Sequence, residues 1–206
     1  NHFLKNDCIL MRQKIGIPIN SPVLLFIGRI TADKGVRELM RAFSLIKNHS
    51  DEPQLIFVGP FDEGSGVSGS IYQDEIANMP NVHLIGYSDC PESYLAIADI
   101  LCLPSYREGF GTVVIEAAAM SVPTIGTDIY GLSDAIVDGE TGLLVPLRNA
   151  EELAKAIEIL LANKELRVQM GKAAKLRAHA EFDAKIVSKL LVQEYCFLLK
   201  EYLLLK

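Results

Sequence analysis

Two glutamates, Glu108 and Glu116, stand eight positions apart in REGFGTVVIEAAAM, with Gly109, Phe110, Gly111, Thr112 and Val113 between them. Gly109 and Gly111 permit a tight turn, and a helix starting near Thr112 offers unpaired backbone N–H groups that favour an anion. Glu116 falls four residues after Thr112, one too many for a capping box, and therefore one turn inside the helix on the same face. A carboxylate among Val113, Val114, Ala117 and Ala118 is costly to bury unless hydroxyl donors satisfy it, and a ribose supplies two. Glu116 is thus expected to be poorly solvated and to lack a sufficient protein partner.

A second constellation is GRITADKG (28–35), directly after an apolar run. With Asp33 as a helix cap, Lys34 and Gly35 occupy the first turn, where a cation opposes the macrodipole by ~0.3–1 kcal/mol and an interior glycine costs about 1 kcal/mol relative to alanine. An anionic ligand would explain both choices: Lys34 neutralises a phosphate, Gly35 and Gly28 let backbone approach it, and Arg29 adds a planar fork of donors. The competing reading is a solvated lysine beside a turn glycine. GSGVSG (64–69) spells G-x-G-x-x-G, but the preceding strand has already ended at Gly59-Pro60, so it reads as a surface loop. No G-x-x-x-x-G-K-[ST] occurs.

The elements that position these residues follow from alternation of short apolar runs with helical patterns, the signature of βαβ units. Strands are expected at 22–28, 54–59, 82–86, 99–104, 123–126 and 142–146. Helices are expected at 35–48, 71–78, 91–98, 111–120, 149–163 and 165–181. Six strands joined by right-handed crossovers give an α/β, doubly wound, parallel Rossmann-like sheet whose ligands bind at the carboxyl ends of the strands. We divide the chain into a lead-in segment (1–21), the sheet domain (22–181) and a terminal helix (182–206). That helix carries Ile186, Leu190, Leu191, Tyr195, Leu198 and Tyr202 on one stripe, expected to pack on this domain or on a missing partner domain. The chain begins at Asn1, which reads as part of something longer.

Composition narrows the function. A net charge of −6 opposes a broad nucleic-acid surface. Cys8, Cys90, Cys102 and Cys196 form no C-x-x-C pair, and His2, His49, His83 and His179 are scattered, so neither a disulfide framework nor a metal site is expected and a reducing, cytosolic setting fits. No apolar run reaches the ~20 residues of a membrane span.

Taken jointly, Arg29, Lys34 and Gly35, the E-x7-E pair within EGFG and EA, and the segments NVHLIG, ADILCLPS, VPTIGTD and DGETGLLVP resemble the donor-binding, C-terminal half of retaining GT-B glycosyltransferases of family four (group 1). The resemblance implies that Arg29 and Lys34 bind the diphosphate of a UDP- or GDP-sugar, Glu108 the sugar and Glu116 the ribose, so that Glu116 is expected near Lys34 and Arg29 across a cleft. It further implies main-chain contacts from Phe110, Gly111, Thr112 and Val113, with Tyr87 and Ser88 near the base. Transfer with retention would need no cofactor and no metal, and no D-x-D motif is present. The absent N-terminal domain would bind a lipid-linked or polysaccharide acceptor, so this segment alone would bind donor but not transfer. The implied location is cytoplasmic, or the cytoplasmic membrane face for the full-length enzyme. Two departures stand out: Ser121 replaces a frequent glycine, and Asp134 falls where many members have a glutamate, while Gly131 is still expected near the donor. The alternatives are a non-catalytic nucleotide-sugar-binding module and a GT-B-shaped epimerase, which would want a histidine near the diphosphate.

Overall fold

The computed structural model describes residues 5–46, 51–61 and 68–204. Residues 47 and 48 of the expected first helix and 64–67 of the glycine-rich stretch lie outside them. The six expected strands form, within a residue or two: β1 (Val23–Ile27), β2 (Gln54–Val58), β3 (Val82–Gly86), β4 (Ile100–Leu103), β5 (Thr124–Thr127) and β6 (Gly142–Val145). They make one parallel sheet in the order β3-β2-β1-β4-β5-β6. The order reverses direction between β1 and β4, so the loops leaving these two strands diverge and leave a crevice.

Alternation along the central strands sorts the core into two layers. Leu24, Phe26, Leu55, Phe57, Ile100 and Cys102 face one side, with Leu39 and Met40 of α2 (Val36–Leu45), Ile76 of α3 (Ser68–Ala77) and Leu153 and Ile157 of α7 (Ala150–Ala162). Val23, Leu25, Ile56, Val58 and Leu101 face the other, with Leu95 of α4 (Pro91–Leu95) and Ala117 of α5 (Thr112–Ala119). The lead-in contains a helix that the residue pattern had not disclosed, α1 (Lys5–Ile15), whose Cys8, Met11 and Ile15 pack against this second layer. A short helix, α6 (Leu132–Ala135), was also unforeseen.

The long α8 (Lys164–Glu181) packs on α5 with Gly171 at the crossing, where a Cβ would come within 2.1 Å of Ser121 O. Ser121 holds the left-handed conformation with φ 65°, which explains why glycine suits that position. The final helix, α9 (Ala184–Leu204), does not bury its stripe on this domain: Leu190 is 58% exposed, Leu191 52%, Tyr195 59% and Leu198 50%. The side chain of Tyr202 lies outside the described residues. Among the described residues no helix is long and apolar enough to cross a membrane.

Candidate functional site

β1 ends at Ile27, and the chain leaves the sheet through Gly28, whose N–H is held by Val58 O at 3.0 Å. The residues expected to open a helix behave differently. Ala32–Lys34 form a single tight turn, and Gly35, left-handed at φ 69°, both closes that turn and caps α2. Asp33 therefore caps nothing. Thr31 Oγ1 donates to Asp33 Oδ1 at 2.6 Å, holding its carboxyl below the ordinary value, with Arg29 and Lys34 adding their charges. Gly35 is dictated by packing as well as by conformation, since a Cβ would lie 2.0 Å from Pro104 O, and its expected closeness to a ligand is replaced by closeness to the loop after β4.

That loop meets the loop after β1 at three points. Pro104 sits on Gly35, the Tyr106 N–H donates to Asp33 O at 2.8 Å, and Lys34 Nζ pairs with Glu108 Oε1 at 2.6 Å. The two charged side chains are only 18% and 14% exposed, so their pairing offsets much of the desolvation each would suffer alone. Tyr106 reinforces the junction: its hydroxyl donates to Glu38 Oε1 at 2.7 Å, and Arg148 lies 4.6 Å above its ring. Burial, with the adjoining Glu38 carboxylate, pushes the Tyr106 phenol up to about 12. Glu38 Oε2 and the Ser105 hydroxyl are buried without a partner among the described residues.

Between the loops opens a cleft of about 310 Å³, lined by Gly28, Lys34, Glu108, Phe110, Gly111, Thr112 and Val113 over Ile27 and Leu103 of the strand ends. Gly111 caps α5 in the left-handed conformation with no side-chain acceptor for the first N–H groups, which leaves them open to an anion. The cleft gathers most of the expected residues but not all of them. Glu116 is exposed rather than poorly solvated, because the face of α5 that carries it turns to solvent while Val114, Ala117 and Ala118 turn inward; no hydrogen bond or ion pair holds its carboxylate among the described residues. Arg29 is exposed and does not line the cleft. Tyr87 is 73% exposed beside Asp89, and Ser88 Oγ accepts from Cys90 N at 3.2 Å; neither lines the cleft. Gly109 has open space around it.

Some supporting residues escaped sequence reasoning. Gly131, expected near the donor, is not among them: at φ 88° it packs so closely that a Cβ would meet Glu108 O at 2.5 Å and Gly109 O at 2.7 Å. Tyr106 and Glu38 are 68 residues apart and carry no spacing signal. Phe182 reaches Phe110, ring centroids 5.3 Å apart, from the far end of α8. A larger hollow of about 600 Å³ between α2 and α3 mixes Arg37 and Arg41 with Asp74 and Glu75 and shares no residue with the cleft. His83 lies away from the cleft, Nε2 2.8 Å from Gln54 Oε1, and Cys102, fully buried, has its thiol pushed up to about 12. Among the described residues no group of three or more His, Cys, Asp or Glu stands close enough to hold a metal ion.

Residues 9–177 match the family model described as glycosyl transferases group 1. The capsular polysaccharide biosynthesis glycosyltransferase CapM of Staphylococcus aureus is 34% identical over 179 residues, covering 87% of this chain and 47% of CapM. HepE of Anabaena, solved in complex with UDP, superposes with a TM-score of 0.87 at 20% identity over 94% of this chain and 53% of its own. The C-terminal domain of a glycosyl transferase group 1 family protein, LpcC of Francisella tularensis, superposes with a TM-score of 0.75 at 21% identity over 89% of this chain and 95% of that domain. The chain thus spans less than half the length of CapM and about half that of HepE.

Proposed function

This chain belongs to the glycosyl transferases group 1 family, and from that premise we propose that it is the C-terminal, donor-binding half of a retaining GT-B glycosyltransferase taking a nucleotide-diphosphate sugar. The observation that carries the reading is the cleft itself: a lysine and a glutamate paired at 2.6 Å beside the start of α5, whose first N–H groups meet no side-chain cap, at the point where the sheet order reverses. The UDP bound to HepE, which shares the fold, supports a nucleotide-diphosphate sugar as donor.

In this reading the Lys34–Glu108 pair is a resting arrangement that the donor opens. Lys34 turns to the diphosphate and Glu108 to hydroxyls of the sugar, so each exchanges one partner for another and neither charge is left bare. The first N–H groups of α5 at Thr112 and Val113 add fixed dipoles for the phosphates, and Arg29 swings in from the rim. Glu116, exposed one turn along α5, accepts from the ribose hydroxyls. Tyr87 and Ser88 flank the base. As the anomeric C–O bond breaks, positive character grows on the sugar and negative charge on the leaving diphosphate. Lys34, Arg29 and the α5 terminus stabilise that leaving charge, and the acceptor hydroxyl attacks from the same face, its oxygen forming the new bond to the anomeric carbon as its proton passes to the leaving diphosphate. These residues carry the reaction without a metal ion. The acceptor is held by a preceding N-terminal domain, against which α9 packs, at the cytoplasmic membrane face in polysaccharide assembly. The segment alone binds donor and does not transfer.

Calorimetric titration of the chain with UDP, GDP, ADP and UDP-glucose tests the binding. One of these is expected to bind, with Lys34→Ala weakening affinity roughly 10- to 100-fold, the worth of a charge-assisted hydrogen bond. A folded chain that binds none of them refutes the assignment. Joining the missing half and assaying sugar transfer separates an enzyme from a binding module.

A further inference from the structure

Within Gly109-Phe110-Gly111 the phenylalanine is the sole side chain, and Gly109 has nothing within contact of a hypothetical Cβ. The Phe110 ring is therefore the handle by which this turn can be gripped through a side chain. What grips it is Phe182, at a centroid distance of 5.3 Å and a tilt of 55°, a geometry that aromatic pairs favour. Phe182 caps α8, its N–H donating to Ala178 O at 3.0 Å, and α9 starts two residues later at Ala184.

Phe182 is itself braced. The Arg177 guanidinium lies 5.1 Å over its ring, donates to Ala135 O at 2.8 Å and Asp134 O at 2.7 Å, and pairs with Glu181 at 2.9 Å. Those carbonyls end α6, which begins beside the Gly131 that presses on Glu108 O and Gly109 O. One end of α8 thus holds both the loop after β4 and the helix α6 that follows β5.

We propose that Phe182 is a positioning residue for the donor site: braced by Arg177, its ring fixes Phe110, aligns the α5 N–H groups with the diphosphate, and couples the root of α9 to donor binding. The proposal rests on the reading that the donor occupies the cleft at Glu108–Val113. The link gives α9 a consequence: whatever seats that helix also bears on the ring that holds the donor loop.

The chain contains no tryptophan, so Phe182→Trp introduces a single tryptophan reporter at the contact. With the 206-residue chain and whichever of UDP, GDP or ADP binds it best, Phe182→Trp and Phe182→Tyr are expected to bind within about twofold of the unsubstituted chain, because an aromatic ring is kept. Tryptophan emission is expected to shift on saturation. Phe182→Leu, which keeps bulk and removes the ring, is expected to lose about three- to tenfold in affinity, and Phe110→Leu/Phe182→Leu to lose no more than the worse single variant. Unchanged affinity in Phe182→Leu, or emission from Phe182→Trp that ignores saturating nucleotide, overturns the proposal while the donor site stands. If Phe182→Leu does not fold, the emission of Phe182→Trp alone decides. No binding by the unsubstituted chain removes the donor-site reading and this inference with it.

Discussion

Lys34 and Glu108 are each mostly buried and each the other's partner at 2.6 Å. Lys34→Met is therefore expected to destabilise the chain by about 1–3 kcal/mol in urea denaturation, since it strands a carboxylate in a site of low solvent access. Tyr106→Phe is expected to act without touching the cleft. Glu38 already has one buried oxygen without a partner among the described residues, and losing the Tyr106 hydroxyl leaves the other bare, for about 1–3 kcal/mol by the same measurement. His83 gives a pH dependence. Burial holds its imidazole below the ordinary 6.5, so the unfolded chain binds the proton more readily than the folded one. Its contribution is fully present above that value and is lost as pH falls through it toward the folded value. The melting temperature is expected to decline on acidification below about 6.5, and His83→Gln to flatten that decline.

At the scale of elements, stability depends on backbones that nearly touch. Gly35 joins the turn after β1 to α2 in a left-handed conformation with Pro104 O in the space of its missing Cβ. Gly35→Ala is expected to cost about 3 kcal/mol or more and to weaken nucleotide binding, because it pries apart the loops that carry Lys34 and Glu108. Gly171 does the same work between α8 and α5 away from the cleft. There alanine's better helix propensity offsets part of the overlap with Ser121 O, and Gly171→Ala is expected to destabilise by roughly 1–2 kcal/mol with nucleotide affinity unchanged. Measuring stability and affinity for both variants separates a joint that shapes the site from one that only holds the fold.

For the molecule as a whole, α9 is the anomaly, a 21-residue helix most of whose described apolar side chains stay exposed while the sheet domain has its core without it. Ending the chain after Asp183 is expected to shift the melting temperature by less than about 2 °C, which calorimetry would show, because little is uncovered by its removal. The sheet, its six strands and the cleft's place at the strand ends were readable from the sequence, since β-branched runs of four to six residues between helical patterns have few ways to pack. That Lys34, Glu108 and the start of α5 would share a cleft was readable from the family resemblance and from the glycine pair at a strand end, whereas the helix-opening position that singled out Lys34 does not form and the lone acid Glu116 turns to solvent. The sequence could not say which face of α5 turns outward: Glu116 is exposed because Val114, Ala117 and Ala118 claim the inner side. It likewise could not say that Gly35 yields to Pro104, that Tyr106 reaches Glu38, or that Phe182 grips Phe110 from 72 positions away. Period and propensity act within an element and are written along the chain. Contacts between distant loops depend on where the closed sheet sets its strand ends, and only the folded chain decides that.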